Sequence, residues 1–305
     1  MKETEKSFSK IKKNYLNFLN KQEVTSEPFQ DKLGQLQNFY LPICNYIFKS
    51  HKLINKTIVI GLSGGQGAGK TTISNILKII LKTKFNLNVI CFSIDNFYKT
   101  LKERKKELKN IHKLFITRGV PGTHDINLIK KFIKDIKKNN FKKIYVPQFD
   151  KSKDDRLPKT KWKKINKKPD IIIFEGWCVG AKPQNNKKLV KPCNILEKKY
   201  DKKLIWRKKV NNELKNGYKE LFKLIDKLIF LKVPGLKYVY KWRLLQEQKL
   251  KIMAKGNKTM SVLQIKKFIM YYERITLQMI KDLSVSSDII VRLDRKHKLN
   301  SIKFN

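Results

Sequence analysis

The octet Gly64-Gly65-Gln66-Gly67-Ala68-Gly69-Lys70-Thr71 constrains this chain more than any other stretch. It lies between a short β-branched run, Thr57 to Leu62, and an amphipathic stretch, Thr71 to Leu81. That order predicts strand, glycine loop and helix, and the pattern G-x-x-x-x-G-K-[ST] is met in full at the required place. Glycines let successive backbone N–H groups turn inward on an anion, and the dipole of the following helix adds positive potential there. In such a loop Lys70 reaches the β- and γ-phosphates of a nucleotide, and Thr71 places its hydroxyl on Mg²⁺. These eight residues and Thr72 are the expected site for ATP and Mg²⁺. The bland alternative is a glycine-rich turn that merely joins strand to helix. A guanine nucleotide is disfavoured, because no NKxD pattern follows the later strands.

The alternation then repeats along the chain. Asn88 to Ile94 reads as a strand, Asp125 to Ile136 as a helix, Ile144 to Val146 as a short strand and Asp170 to Phe174 as a buried strand. Leu228 to Val233 and Asp288 to Leu293 supply further strands, with helical patterns at Tyr238 to Met253 and Val262 to Leu283. This predicts an α/β chain of the P-loop NTPase type, with a mostly parallel sheet flanked by helices. Residues 1–56 place Phe8, Ile11, Tyr15, Phe18 and Leu19, then Leu33, Leu36, Phe39 and Tyr40, at helical spacing. They are expected to form a helical N-terminal extension on a P-loop domain of residues 57–305. The polar stretches 147–168 and 182–192 lack periodicity and read as functional lids or locally mobile loops.

Two acids sit where parallel sheets place their chemistry, at the carboxyl ends of strands. Asp95 follows Ser93-Ile94 and can accept the proton of an attacking hydroxyl, help hold the metal's water shell, or simply cap a turn. Glu175 ends the run Asp170-Ile171-Ile172-Ile173-Phe174, a hydrophobic strand closed by an acid as in a Walker B element. It is a candidate for Mg²⁺ through water, or an acid that only terminates a strand before Gly176. Arg118 and His124 lie in a compact polar loop and can face an anion, although Thr123 or Asp125 there can equally be an N-cap. Lys151 and Arg156 form a second cationic cluster or an ordinary solvated surface. Arg243 follows Trp242 on a helix where a lid arginine can stabilise a transferred phosphoryl group, or snorkel over its neighbour.

Composition sets the outer bounds. With 305 residues, 41% of them hydrophobic, the chain can bury the core of a large α/β domain. The net charge of +45 invites a nucleic-acid reading, yet lysines run almost evenly from Lys10 to Lys303 and no zinc, RNP or helix-turn-helix signature accompanies them. A specific nucleic-acid partner is therefore not expected; an AT-rich coding bias would produce this composition, and the charge should also help gather anionic substrates. Cys44, Cys91, Cys178 and Cys193 form no CxxC pair and read as reduced thiols. No segment approaches the ~20 apolar residues of a spanning helix, and the N-terminus lacks an apolar leader, so a cytoplasmic protein with no membrane partner is expected. The oligomeric state is not legible.

Taken in order, GGQGAGKTT, SIDNFY, RGVPGTHD, PQFDKSKDDR, FEGW and YVYKWRLLQE resemble the motifs of the glycerate kinases of plants, cyanobacteria and fungi, within the phosphoribulokinase and uridine kinase superfamily. The resemblance spans Ile58 to about Leu293. It implies that Asp95, in a D-x-F-Y signature with Phe97 and Tyr98, is the catalytic aspartate, and that Pro121 to Asp125 bind substrate. Tyr271 to Thr276, YYERIT, looks like the HYERLT element of bacterial relatives. Two departures stand out: Asn96 where many relatives have a second acid, and Asp154 where a glycine often precedes the Asp-Arg pair. The activity implied is ATP-dependent phosphorylation of D-glycerate, with Asp95, Lys70, Glu175 and Arg243 at the reaction and Arg118, Lys151 or Arg156 as the cation for the carboxylate. The alternatives are another small alcohol acceptor (uridine, pantothenate or a sugar phosphate), or a nucleic-acid-associated P-loop ATPase.

Overall fold

The strand Ile58–Gly64 (β1) is buried along its whole length, as a strand covered on both faces must be. Around it the computed structural model, which describes residues 2–23, 28–253 and 260–305, places nine further strands. They are Val89–Ser93 (β2), Ile144–Val146 (β3), Phe149–Asp150 (β4), Asp155–Arg156 (β5), Lys163–Ile165 (β6), Ile171–Gly176 (β7), Lys227–Lys232 (β8), Ile289–Leu293 (β9) and Leu299–Phe304 (β10). Residues 1 and 24–27 of the expected N-terminal extension lie outside the described residues.

Six strands form one sheet in the order β10-β9-β8-β1-β7-β2, parallel throughout except where β10 turns back antiparallel on β9. The expected mostly parallel sheet flanked by helices is what forms. Its two faces follow from the period-two alternation of side chains. Ile58, Ile60 and Leu62 join Ile171, Ile173, Ile229 and Leu231 on one face, under helix Lys70–Phe85 and the N-terminal helices. Val59, Ile172, Phe174 and Phe230 join Phe92, Phe132 and Met279 on the other.

The helices Lys2–Gln22 and Leu41–Ile54 carry Ile11, Tyr15, Leu19, Ile43 and Ile47 into the first of these clusters. The Gln35 side chain pairs with an edge of the sheet, donating to Leu299 O at 2.9 Å and accepting from Leu299 N at 3.0 Å. Among the described residues no helix is long and apolar enough to cross a membrane.

Three departures from the periodicity appear. The helix expected over Val262 to Leu283 is two, Val262–Met270 and Glu273–Ser286. Tyr271 N and Tyr272 N bond three residues back, to Phe268 O and Ile269 O, which tightens the turn and ends the first helix. The stretch 147–168 is not structureless, since β4 pairs with β5 and β6 returns to β3. Within 182–192, Asn186–Val190 is a short helix capped by the Asn185 side chain.

The connection from β1 to β2 leaves to one side of β1, and that from β7 to β8 crosses to the other. A crevice at the carboxyl ends of β1 and β7 results, where open α/β sheets hold their ligands.

Candidate active site

The glycine loop fills that crevice. Gly67 and Gly69 take φ of 77° and 80°, left-handed values that only glycine adopts without cost. A Cβ on Gly67 would stand 2.9 Å from Trp242 Cβ and 3.0 Å from its carbonyl carbon, because helix Leu236–Met253 lies against the loop. Trp242 in turn stacks on His297 at 4.3 Å. Lys70 Nζ donates to Gly64 O at 2.9 Å and Gly65 O at 3.0 Å, so the ammonium lies along the loop's own carbonyls. Burial lowers its pKa, against the pull of Glu175 and Asp95. Thr72 follows in the first turn of the helix. Both amide atoms of Gln66 are buried without a hydrogen-bond partner, and nothing in the structure explains this.

Thr71 Oγ1 donates to Glu175 Oε1 at 2.8 Å. Glu175 is 6% exposed and sits between Leu62 of β1 and Ser93 of β2 in register. Burial raises its pKa, while Lys70 and the Thr71 hydroxyl oppose that shift.

Asp95 stands in the 3₁₀ turn Ile94–Phe97, directly beyond β2. The capping that would compete for it is done by its neighbours. Ser93 Oγ accepts from Asp95 N at 3.2 Å, and Asn96 Oδ1 accepts from Ser93 N at 2.8 Å. Asn96 thus has a structural task in place of a second acid. The Asp95 carboxylate is left to side chains: Tyr98 Oη donates to Oδ1 at 2.7 Å and Lys151 Nζ to Oδ2 at 3.0 Å. Burial would raise its pKa, but Lys151, the Tyr98 hydrogen bond and His124 outweigh it and hold the group at about 2.

The substrate-loop candidates divide into two sets. His124, 1% exposed, stacks on Tyr98 at 4.5 Å, and its Nδ1 lies 2.6 Å from Tyr218 Oη. Burial lowers its pKa to about 4 against the attraction of Asp95. Thr123 is buried and closes the loop, accepting from Gly119 N at 3.0 Å and donating to Val120 O at 2.7 Å. Arg118 pairs with Asp154, donates to Lys151 O at 3.3 Å and lies 5.4 Å over Phe149. Asp125 caps helix Ile126–Lys137 through Leu128 N at 3.0 Å. Arg156 spends its fork on two carboxylates, Asp125 and Glu103, each at 3.2 Å. Lys70, Thr71, Glu175, Asp95, Lys151 and His124 therefore meet in one cluster with Arg118 beside it, whereas Asp125 and Arg156 hold each other in the wall.

Arg243 lies on the helix packed against the glycine loop, paired with Glu247 at 2.6 Å and 5.4 Å over Phe268. The Tyr272 hydroxyl feels the charges of Asp95, Arg118 and Arg243 and donates to Arg118 O at 3.1 Å. Trp177 Nε1 donates to Gly119 O at 2.8 Å and fixes the same loop from below. Tyr218 gave no signal in the sequence.

The family described as "Phosphoribulokinase / Uridine kinase family" matches residues 59–191. "Uncharacterized kinase mug58" of Schizosaccharomyces pombe is 34% identical over 238 residues, 75% of this chain and 83% of that protein. The chain belongs to the phosphoribulokinase / uridine kinase family. As a kinase of this family it also resembles "D-glycerate 3-kinase, chloroplastic" of Arabidopsis thaliana, 29% identical over 258 residues that cover 78% of this chain and 53% of that protein. Among solved structures, D-glycerate 3-kinase from Cryptococcus neoformans var. grubii superposes with a TM-score of 0.74 at 22% identity, covering 87% of this chain and 99% of the other. That likeness is one of fold.

Proposed function

We propose that this family member transfers the γ-phosphoryl group of ATP to a hydroxyl of a small anionic hydroxy acid, with D-glycerate as the acceptor. The observation that carries the reading is the Asp95–Lys151 pair at 3.0 Å, which sets a proton acceptor and a cation side by side at the mouth of the phosphate cradle. The left-handed glycines at 67 and 69 let the loop turn its backbone N–H groups toward a triphosphate at the start of helix Lys70–Phe85. Thr71 and Glu175 offer the hard oxygens that Mg²⁺ takes. When bound, Mg²⁺ would neutralise charge on the β- and γ-phosphates.

The chain's own groups do the rest. Lys70 leaves the carbonyls of Gly64 and Gly65 for the phosphates. Asp95 accepts the proton of the acceptor hydroxyl. A carboxylate held at about 2 is ionised at neutral pH and only weakly basic, which suits a loose transition state with little early proton transfer. Both of its oxygens are engaged by Tyr98 and Lys151, so we assign it to the hydroxyl rather than to the metal. Arg118 and Lys151, both partly exposed, face the acceptor's carboxylate, and His124 contributes from the same loop. Arg156, only 11% exposed between two carboxylates, holds the wall. Arg243 on the helix over the loop meets the transferred group. The free thiols Cys44, Cys91, Cys178 and Cys193 suit the cytoplasmic location that goes with this reading.

The similarity to plant D-glycerate 3-kinase supports this acceptor. A coupled ADP-release assay over D-glycerate, pantothenate, uridine and ribulose 5-phosphate tests it. We expect turnover on D-glycerate well above the others. Preference for any other acceptor overturns the choice of substrate. No ADP from any of them, with Lys70→Ala binding ATP as the parent does, overturns the kinase reading itself.

A further inference from the structure

Tyr218 lies under the Val120–Asp125 loop with no exposed surface. Its hydroxyl accepts from Gly122 N at 3.1 Å and meets His124 Nδ1 at 2.6 Å. Gly122 N can only donate, so among the described residues Nδ1 is the group at this hydroxyl that can take the phenol proton. Suppose instead that the ring proton sat on Nδ1. The phenol proton and the bare Nε2 would then both be buried without partners. With the proton on Nε2, that N–H alone is left over, and His124 Nε2 is indeed buried without a partner in the protein. Buried polar groups left unpaired are few, so the second arrangement wins. The ring stacks on Tyr98, whose hydroxyl holds Asp95, and it feels the Asp95 charge, so His124 lies in the wall beside that carboxylate.

We propose that Tyr218 is a positioning residue: it fixes His124 in the tautomer protonated on Nε2, so that this N–H donates to an oxygen of the acceptor. The ring is uncharged at neutral pH, because burial holds its pKa at about 4. It therefore supplies direction rather than charge, which Arg118 and Lys151 already bring. The acceptor contact rests on the kinase reading above, whereas the tautomer does not.

The test uses the full chain labelled with ¹⁵N-histidine. His124 is identified by the signals lost in His124→Gln, from His51, His112, His124 and His297. We expect the neutral Nε2–H pattern throughout about pH 6 to 8, where an ordinary histidine titrates. Tyr218→Phe should move the ring toward a mixture of tautomers and raise KM for the acceptor roughly 3- to 10-fold, the equivalent of one hydrogen bond, with KM for ATP unchanged. An Nδ1–H pattern in the parent protein overturns the proposal. So does a Tyr218→Phe protein whose ring signals and acceptor KM match the parent's. A variant that only lost stability would move neither readout. Should Tyr218→Phe not fold, the parent spectrum decides alone. An Nε2–H spectrum with no acceptor turned over would sink the kinase reading and leave the tautomer standing.

Discussion

Asp95 stays ionised because Lys151 and the Tyr98 hydrogen bond outweigh its burial. Asp95→Asn keeps the shape and the Tyr98 contact but cannot take a proton, so kcat should fall by about 10²–10⁴-fold. Calorimetric ATP affinity should stay near the parent's; a variant with parental kcat would remove Asp95 from the reaction. Its folded pKa of about 2 lies below the usual 3.8, so its charged form adds stability above that usual value and loses it as pH falls toward 2. Lys151→Met removes the first of the groups holding the value down, and the acid limb of the kcat–pH profile should move to higher pH. Asp154 makes a different point. It takes φ of 55°, a left-handed value that the glycine of relatives would adopt without strain, and its carboxylate pairs with Arg104 and Arg118. Asp154→Gly relieves roughly 1–2 kcal/mol of strain but leaves the fully buried Arg104 without a carboxylate, a larger loss. The net effect in urea unfolding should be destabilising.

At the scale of elements, the contact between the glycine loop and helix Leu236–Met253 allows no side chain at position 67. Gly67→Ala meets both a left-handed backbone and Trp242, and calorimetry should show ATP affinity reduced by at least about tenfold. The N-terminal helix is bound to the same core, with Ile11 only 2% exposed. Ile11→Ala should cost about 2–4 kcal/mol by denaturant unfolding and leave kcat nearly unchanged, since the helix lies away from the candidate site. The central sheet was legible because its strands are short β-branched or apolar runs, Ile58 to Leu62 before a known loop, Val89 to Ile94 just before Asp95 and Ile171 to Phe174 closed by Glu175. What hid was non-local. β10 exists only through its antiparallel partner β9, and its own residues, Leu299-Asn300-Ser301-Ile302-Lys303-Phe304, alternate weakly. The break at Tyr271-Tyr272 comes from hydrogen bonds that no apolar pattern encodes. Arg156 read as a cation for substrate because Glu103 and Asp125, which neutralise it, are distant in sequence. Tyr218 is marked only by what its hydroxyl touches.

For the molecule as a whole, 70 basic residues against 25 acidic ones mean that like charges repel across most of the surface. Raising NaCl from about 0.05 to 0.5 M shortens the screening length from roughly 14 to 4 Å, so the thermal midpoint should rise and KM for ATP should rise with it. A midpoint insensitive to salt would show that the charges are already compensated in the fold. The walls around Asp95 are knotted across long stretches of chain. Arg104 reaches Asp154, Arg156 reaches Glu103, and Leu101 N donates to Asp155. Anyone moving an acceptor preference from one relative to another would thus have to transplant residues 99–156 as a single cassette. A splice between its halves would orphan a guanidinium on one side and a carboxylate on the other. The same bonds tie the fates of these positions in descent, so that 103 with 156, and 104 with 154, should change together across the family or not at all.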